Sequence, residues 1–436
     1  MNDKKAVVIG GGLAGVEAAK QLSKRGVKVT LYEMKPQKFS PAHKSEKLAE
    51  LVCSNSLKAE RVGSAAGLLK AEMSLFGSVC VDAAYKAKVP AGGALAVDRD
   101  VFSDEITKSI ENDENITLIR EEITEIPSDG IVIIAAGPLV SDSLAQKIGE
   151  LCGKDFLSFY DAAAPIVTAD SIDMENAFTQ SRYDRGGEDD YINCPLDKAQ
   201  YEEFYEALVN AESADLHSFD KRKDVYEGCM PIEVLASRGK DAMRYGPLKP
   251  VGLTNPKTGH RPWANLQLRK ENRDGTMYNL VGFQTNLKFP EQKRVFSMFP
   301  ALKNAEFVRY GVMHRNTFLN SPGLLSYDFS LKKDPRIYFA GQISGVEGYM
   351  ESASSGILAG YNAARRIFGE EPILLPKITM MGALSQYISD ETVKNFQPMG
   401  AAFGIINPLD ERIKDKKERY ETLAKRSLDY FKTIDL

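Results

Sequence analysis

The stretch Lys5-Ala6-Val7-Val8-Ile9-Gly10-Gly11-Gly12-Leu13-Ala14-Gly15 decides the fold of this chain. A short β-branched run leads into a glycine turn, and apolar residues at helical spacing follow from Val16 to Gly26. A second strand is predicted from Val27 to Tyr32, directly before Glu33. Strand, glycine turn, helix, strand and acid in this order are typical of a doubly wound, Rossmann-like α/β domain that binds a dinucleotide.

The glycine turn predicts how such a ligand is held. We expect Gly10 to make the tight turn, Gly12 to let a pyrophosphate approach the backbone, and Gly15 to let the helix pack closely on the strand. The diphosphate would accept hydrogen bonds from unpaired N–H groups at the helix start, around Gly11, Leu13 and Ala14. Glu33 is placed to bind an adenosine ribose, so FAD or NAD fits better than NADP. An ordinary glycine-rich turn is the alternative.

The rest of the chain predicts an interrupted domain. Strands are expected at 116–120 and 131–135, and the sheet resumes with a strand from Arg336 to Gly341. Between them the alternation of strand and helix is lost. We therefore predict an FAD-binding domain in two parts, 1–160 and 301–436, around an inserted α+β substrate domain at 161–300. The chain is expected to end in a charged helix from Asp410 to Thr433.

A second glycine-rich stretch favours FAD over NAD as the resident cofactor. Gly341-Gln342-Ile343-Ser344-Gly345 follows the late strand and precedes a small-residue helix from Ser352 to Ile367. A flavin ring requires backbone donors of its own at a helix start, which a dehydrogenase using only NAD would not need. Gly137, at the end of the 131–135 strand, is a further point of close backbone approach. A second, unrelated glycine turn is the alternative.

Composition excludes several other classes. The 436 residues are 43% apolar and carry a net charge of −4, with no apolar run of membrane-spanning length and no targeting signal, so we expect a cytoplasmic protein without a membrane partner. Five cysteines without a CxxC pair argue against a disulfide framework, a zinc ribbon and a flavin disulfide reductase. The four histidines show no metal-ligand spacing, so no metal is expected.

Charge is unevenly distributed along the chain. From Phe219 to Arg315 there are eighteen basic and nine acidic residues. A surplus of nine positive charges within an acidic protein predicts an anion-binding surface. A solvated basic face without a ligand is the alternative.

Two cysteines and one histidine are candidates for chemistry. Cys229 lies between Gly228 and Pro231 at the start of the basic segment, where nearby cations would favour a thiolate. A thiolate can add to C6 of a pyrimidine and so make C5 nucleophilic. Cys53 lies in a Ser/Asn loop, and a buried structural role is the alternative for both thiols. His314 would stack on a planar ligand or be an ordinary surface histidine.

These motifs together resemble the family of folate- and FAD-dependent tRNA (uracil-5-)methyltransferases, TrmFO, within the GidA-related flavoproteins. The resemblance runs essentially end to end, and the cysteine motifs and the distal Gly-Gln stretch are its most specific parts. The matching motifs are Val-Ile-Gly-Gly-Gly-Leu-Ala-Gly at 8–15, Leu-Val-Cys-Ser-Asn-Ser at 51–56, Ala-Val-Asp-Arg at 96–99, Glu-Gly-Cys-Met-Pro-Ile-Glu at 227–233, Met-His-Arg-Asn-Thr at 313–317 and Phe-Ala-Gly-Gln-Ile-Ser-Gly-Val-Glu-Gly-Tyr at 339–349.

The resemblance implies an enzyme that makes 5-methyluridine in the T-loop of tRNA. It would use 5,10-methylenetetrahydrofolate as the carbon donor, FAD as the redox cofactor and NAD(P)H as the reductant. The resemblance implies that Cys229 attacks uracil C6 and that Cys53 is a second functional thiol, a general base or an alternative nucleophile. It also implies that His314 holds the folate pterin against the flavin and that Tyr349 is an active-site aromatic. The inserted domain would then bind tRNA.

Three other functions remain open at this point. A relative methylating ribosomal RNA would share the flavin, folate and thiol motifs. A flavoprotein that only binds RNA would need neither Cys53 nor Cys229. A plain NAD(P)H–flavin oxidoreductase would show no folate dependence. The sequence leaves open the oligomeric state, the preferred nicotinamide and whether flavin N5 or a cysteine carries the methylene group.

Overall fold

The structure of the protein is a computed structural model. It describes residues 4–436 except 41, 154–155, 185–186, 188, 215–229, 312 and 394–395, and only the backbone of 156–162, 184 and 313–315.

Strands and helices alternate in the first third of the described chain, and strands dominate its middle. The strands are β1 (Lys5–Ile9), β2 (Lys28–Tyr32), β3 (Ser56–Ala59), β4 (Lys88–Val89), β5 (Ala94–Val97), β6 (Ile116–Ile119), β7 (Ile131–Ile134), β8 (Phe156–Ala162), β9 (Ile166–Thr168), β10 (Phe178–Thr179), β11 (Tyr191–Leu196), β12 (Ala264–Lys270), β13 (Met277–Leu280), β14 (Phe307–Arg309), β15 (Met313–Leu319), β16 (Ser330–Leu331) and β17 (Asp334–Phe339). The α-helices are α1 (Leu13–Lys24), α2 (Ala65–Leu75), α3 (Val79–Lys86), α4 (Arg99–Glu111), α5 (Asp142–Cys152), α6 (Lys198–Val209), α7 (Ile232–Ala236), α8 (Phe289–Phe296), α9 (Tyr349–Ile367), α10 (Met380–Ser389) and α11 (Lys416–Phe431).

The first sheet has six strands in the order β16-β17-β7-β1-β2-β6. All neighbours from β17 to β6 are parallel, and β16 is an antiparallel edge strand. β17 pairs with β7 although their paired residues are more than two hundred positions apart, with Ile337 opposite Val132, so the sheet resumes late in the sequence as predicted. The α/β, Rossmann-like fold class is confirmed.

The second sheet has six strands in the order β10-β11-β12-β13-β9-β14, antiparallel throughout. Its core is separate from that of the first sheet and includes Phe204, Phe283, Phe296 and Phe299. β8 and β15 form a two-stranded antiparallel ribbon at the points where the chain enters and leaves this region. β3, β5 and β4 form a small third sheet, which sequence patterns did not predict.

The expected boundaries at residues 160 and 300 differ from the strand pairing. β8 runs through residue 160, and β14 pairs with β9, so the second sheet extends beyond residue 300. The reason is that pairing is decided by register with distant strands, whereas the sequence boundary followed only the loss of local alternation. The C-terminal helix also starts later than expected. Asp415 caps α11 by accepting a hydrogen bond from the Glu418 N–H, so the helix begins at Lys416 rather than near Asp410.

α1 and α9 pack unusually closely, which places both glycine turns side by side. A Cβ on Gly356 would lie 2.1 Å from the carbonyl oxygen of Ala14, and one on Gly360 would lie 2.5 Å from that of Ala18. The small residues of α9 therefore let it lie directly on α1. Among the described residues, no helix combines the length and apolar character needed to cross a bilayer.

Candidate active site

A cleft of 170 Å³ opens at the carboxyl ends of the parallel strands, where ligands bind in doubly wound sheets. Its walls come from segments that are distant in sequence, among them the first glycine turn, the end of β2, the residues after β7 and the start of the second glycine turn. Predicted cofactor residues that line it are Gly10, Gly11, Gly12, Leu13, Ala14, Glu33, Gly137, Gly341 and Gln342. Tyr349 lines the same cleft.

The first glycine turn has a backbone that larger residues would not tolerate. Gly10 has φ +106°, and a Cβ there would lie 2.4 Å from the carbonyl oxygen of Ala135. A Cβ on Gly15 would lie 1.8 Å from the carbonyl oxygen of Gly10, so Gly15 contributes packing and does not line the cleft. At Gly12 a Cβ would meet nothing within 4 Å and would point into open space. These contacts fit a turn whose free side receives a ligand.

The start of α1 is open to an anionic group. Gly12 is the N-cap and provides no side-chain hydrogen bond, and there is no acidic residue in the first turn. The starts of α3 and α10 differ, because buried carboxylates occupy them. Glu17 accepts hydrogen bonds from the N–H groups of Val79 and Cys80, and Glu72 accepts from those of Met380 and Met381. The unpaired N–H groups and the helix dipole at α1 therefore fit a diphosphate.

Glu33 joins the turn to the end of β2. Its two carboxylate oxygens accept hydrogen bonds of 2.9 Å from the N–H groups of Gly11 and Lys35. Each carboxylate oxygen has further lone pairs, so ribose hydroxyls are suitable donors to the same group. The residues present thus fit the adenosine diphosphate part of FAD.

The second glycine turn meets the cleft only in part. Gly341 has φ +85°, and its N–H donates to Ser355 Oγ at 2.7 Å. Gly345, which the sequence pattern placed among the cofactor residues, is not part of the cleft wall. A Cβ on Gly345 would lie 2.3 Å from the ring of Phe396. Its requirement for glycine is explained by its φ of +87° and by this packing, which a local sequence pattern does not distinguish from ligand contact.

Cys53 lies beside Tyr349, which lines this cleft. The Tyr349 hydroxyl oxygen accepts hydrogen bonds from the N–H groups of Cys53 at 2.8 Å and Ser54 at 3.3 Å, and it lies 3.0 Å from Cys53 Sγ. A phenol has two acceptor lone pairs and one proton. Because the two backbone groups use the lone pairs, the hydroxyl donates its proton toward Sγ. A sulfur that accepts a hydrogen bond is stabilised when it carries negative charge.

Burial keeps Tyr349 in the protonated form that this arrangement requires. Burial, with the neighbouring Cys53 as the next cause, raises the pKa of Tyr349 well above its ordinary value. Cys53 itself is partly accessible and is not in a disulfide. Cys80 and Cys194 are fully buried, and burial raises both of their pKa values. Among the described cysteines, Cys53 alone combines accessibility with a phenolic donor.

Three arginines from other parts of the chain hold the Cys53 loop. Arg269 on β12 donates from Nη2 to Ser54 Oγ and from Nε to Asn55 Oδ1, both at 3.1 Å. The other two donate to loop carbonyls: Arg99 Nη1 to Leu51 at 2.7 Å, and Arg309 to Val52. Glu271 forms an ion pair with Arg99 within this group. Two of these arginines belong to strands of the second sheet, which therefore helps to position a loop that leads into β3 of the small third sheet.

This arginine group is strongly electropositive and largely desolvated. Burial lowers the pKa of Arg269 and of Arg309, while Glu271 partly offsets this effect. Burial raises the pKa of Glu271, and Arg99 opposes that shift. One buried carboxylate among three guanidinium groups leaves positive charge beside Cys53. Such an environment favours an anion at the end of the cleft.

Sequence reasoning did not identify these arginines or His43. Only the motif at 96–99 and the general basic surplus pointed toward Arg99, Arg269 and Arg309. His43 lines the cleft, and its Nδ1 lies 2.6 Å from Ser40 Oγ. Burial lowers the pKa of His43, so its ring is neutral near pH 7. An isolated histidine in a polar loop carries no sequence signal that would reveal this position.

Two of the predicted site residues cannot be placed as side chains. Cys229 lies outside the described residues. The backbone of His314 is in β15, opposite Asp161 of β8, and its side chain is outside the description. Within the described part of the chain, no three His, Cys, Asp or Glu side chains are grouped in a way that could hold a metal ion.

The fold and the cleft define a doubly wound α/β protein with a dinucleotide-type site, in which the lining residue Tyr349 contacts a cysteine. A family model described as "GIDA: Glucose inhibited division protein A" matches residues 5–371. The crystal structure of Aquifex aeolicus GidA (form II) matches with a TM-score of 0.70 at 18% identity, covering 99% of this chain and 73% of that one, which is a likeness of fold.

Similarity to named relatives extends over nearly the whole chain. The methylenetetrahydrofolate--tRNA-(uracil-5-)-methyltransferase TrmFO of Acetivibrio thermocellus is 58% identical over 425 residues, 98% of this chain and 97% of the relative. The protein of the same name from Desulforamulus reducens is 55% identical over 432 residues, 99% and 98% of the two chains. The chain belongs to the TrmFO family within the GidA group, and the resemblance drawn from its motifs is confirmed.

Proposed function

We propose that this protein methylates C5 of a uridine in the T-loop of tRNA, with 5,10-methylenetetrahydrofolate as carbon donor, FAD as redox cofactor and NAD(P)H as reductant. The proposal rests on the sequence identity of 58% and 55%, over nearly the whole chain, to proteins of that name. The combination of an open helix start and a cysteine held by a tyrosine of the same cleft supports it. The site of action is then the cytoplasm, where tRNA and folate are available.

The chain's own residues would hold the cofactor along the cleft. Gly12, Leu13 and Ala14 offer backbone N–H groups to the diphosphate, and Glu33 accepts from the ribose. Gly137, Gly341 and Gln342 line the part nearer Tyr349. When bound, the flavin supplies two-electron redox chemistry between the nicotinamide and the transferred carbon.

Two thiols would act on the uracil ring, one as a nucleophile and the other as a general base. Cys229 is the proposed nucleophile: its sulfur adds to C6, and C5 becomes nucleophilic toward the donated carbon. Cys53 is the proposed second thiol, acting as a general base that removes the C5 proton, so that the C5–C6 double bond re-forms as the Cys229 sulfur leaves C6. Tyr349 positions Cys53 through the hydrogen bond between its hydroxyl and Sγ. The positive charge of Arg309 and Arg99 favours Cys53 in its anionic form.

The surplus of basic residues between Phe219 and Arg315 would contact RNA phosphates. The affinity for RNA is therefore expected to fall as the salt concentration is raised. The target uridine has to leave its stack to reach the cleft. His314 is proposed to support the folate ring. Methylation of ribosomal RNA by the same site is the second candidate, because the cleft and thiols would serve either RNA.

The test incubates purified protein with NADPH, methylenetetrahydrofolate and an unmodified tRNA transcript, and measures 5-methyluridine. Wild type is expected to form product only when all three are present. Cys229→Ala is expected to form none, and Cys53→Ala to lose most of the rate. A matched control, Cys152→Ala, removes a buried thiol on α5 outside the cleft and is expected to retain turnover. Equal product from Cys229→Ala would remove that residue from its role, and product on ribosomal RNA alone would favour the second candidate.

A further inference from the structure

A second large groove lies in the region of the second sheet, apart from the cleft. It has a volume of 780 Å³ and is bounded by the ends of β11 and β12 and by the loops over residues 244–263. Its lining includes five basic residues and two acidic ones. The basic ones are Lys198, Arg244, Lys249, Lys257 and Arg261. One of the acids, Asp197, is already used as the cap of α6, where it accepts the Gln200 N–H. The groove therefore favours an anionic ligand.

Two exposed aromatic rings lie in this basic groove. Trp263, the single tryptophan of the chain, is 37% exposed, and Tyr245 is 86% exposed. What distinguishes these two rings is that they share one groove with five cations. Stacking on such rings is how proteins hold unpaired bases, while cations beside them hold the phosphates.

Arg244 fixes the tryptophan in place. Its guanidinium carbon lies 3.8 Å from the centroid of the Trp263 ring, and its Nε donates to the Trp263 carbonyl at 3.0 Å. Nη1 pairs with Asp241 at 2.7 Å, so the guanidinium is held on both sides. An aromatic ring held in this way is ordered before a ligand arrives, which reduces the entropy lost on binding.

The groove has a defined spatial relation to Cys53. Trp263 directly precedes β12, and Arg269, six residues further along that strand, contacts Ser54 in the Cys53 loop. At about 3.3 Å per residue, the groove lies about 20 Å from this loop. This distance corresponds to about six stacked nucleotides. One RNA molecule can therefore occupy both places.

We propose that this groove is a second RNA-binding subsite, which receives an unpaired nucleotide of the RNA substrate about 20 Å from the reacting uridine. The base stacks on Tyr245 and Trp263, and its phosphates contact Lys249 and Arg261. The subsite adds affinity and selects folded RNA, and it takes no part in the chemical step. This inference rests on the proposed function, because it assumes that the substrate is RNA.

The experiment measures the Kd of the FAD-loaded enzyme for a full-length tRNA transcript by fluorescence anisotropy. Tyr245→Ala and Trp263→Ala are each expected to raise Kd at least about fivefold, the effect of losing one stacked base. Trp263→Phe is expected to restore most of the affinity. Lys249→Ala and Arg261→Ala are each expected to reduce the slope of log K against log salt by about one. Tyr85→Ala, which removes an exposed ring on α3, is the matched control.

Product formation is followed in the same samples. With saturating tRNA, the groove variants are expected to show the wild-type kcat, and NADPH is expected to reduce the flavin at the wild-type rate. Kd values within twofold of wild type for both Tyr245→Ala and Trp263→Ala would overturn the subsite, as would a loss confined to kcat. The proposed function fails separately, if wild type binds the transcript and forms no 5-methyluridine. Tyr245→Ala keeps the test valid even if Trp263→Ala folds poorly, because Tyr245 is almost fully exposed.

Discussion

The glycine turn at 10–15 and the Cys53 loop at 51–56 both contribute to the walls of one cleft and are built in different ways. The turn uses backbone groups, with glycines where side chains would collide and an unfilled helix start. The loop is held by side chains from β12, β14, α4 and α9. The first site is therefore a local property of the chain, and the second depends on the whole fold. Substitutions can test this difference.

The largest expected effect is at Gly15. Gly15→Ala places a methyl group 1.8 Å from the Gly10 carbonyl oxygen, so the turn and α1 cannot keep their positions. We expect a loss of at least about 3 kcal/mol in the free energy of unfolding and no bound flavin. Thermal unfolding measures the loss of stability, and flavin absorbance measures the bound cofactor. Gly26→Ala is the control: its φ is +74° but nothing lies within 4 Å, so only about 1 kcal/mol is expected.

Gly12→Ala separates ligand binding from folding at the same turn. The added methyl group meets no protein atom within 4 Å, so thermal stability of the cofactor-free protein should be unchanged within a few degrees. Because the methyl group enters the space assigned to the diphosphate, flavin affinity should fall about tenfold to a hundredfold. Retention of flavin at the wild-type level would place the diphosphate elsewhere.

Arg269→Met tests how the Cys53 loop is held in place. The change removes two hydrogen bonds to Ser54 and Asn55 and one cation near the buried Glu271. We expect about 3 kcal/mol of destabilisation, the usual cost of breaking a buried charged group. In the folded fraction, kcat should fall while flavin content stays at the wild-type level. Arg25→Met, which breaks a partly exposed pair with Glu370, should cost less than about 1 kcal/mol. A loss of flavin in Arg269→Met would show that flavin binding at the glycine turn depends on the Cys53 loop.

The N-terminus of α10 is capped by the side chain of Glu72, whereas the N-terminus of α1 has no side-chain cap. Burial raises the pKa of Glu72 to about 7 from an ordinary value of 4.5. Between these two values the folded chain holds a proton that the unfolded chain has lost, so stability should decrease as pH rises, by up to about 3 kcal/mol. Urea unfolding from pH 4.5 to 7 measures this slope. Glu72→Gln should remove this contribution, whatever its effect on stability at a single pH, and an unchanged slope would contradict the assignment.

The smallest expected effect is at Tyr349. Tyr349→Phe keeps the ring but removes the hydroxyl that contacts Cys53 and Ser54. The loss of these hydrogen bonds should lower kcat about tenfold and the melting temperature by a few degrees, with flavin retained. Tyr387→Phe removes a hydroxyl that donates to the Gln397 carbonyl away from the cleft, and kcat should be unchanged. Equal kcat values for both variants would exclude a positioning role for Tyr349.

The contrast also explains what the sequence could predict. The strand at Lys5–Ile9 was predicted with its observed bounds, and the strand expected from Val27 to Tyr32 lies at Lys28–Tyr32, because strand composition is a local signal. The glycine turn and Glu33, which line the cleft, were predictable for the same reason. The sheet position of Phe307–Arg309 and the role of Arg269 were not, because they depend on pairing between segments more than a hundred residues apart.

The clamp on the Cys53 loop limits how this protein can be recombined with its relatives. Asn55 donates to the Lys270 carbonyl and accepts from Arg269, so each half of the molecule completes the other's contacts. A chimera that exchanges the second-sheet region alone will lose turnover wherever this contact set is mismatched, even if both halves fold. Residues 51–56, 99, 269 and 309 therefore form one inherited unit, although they are scattered along the gene.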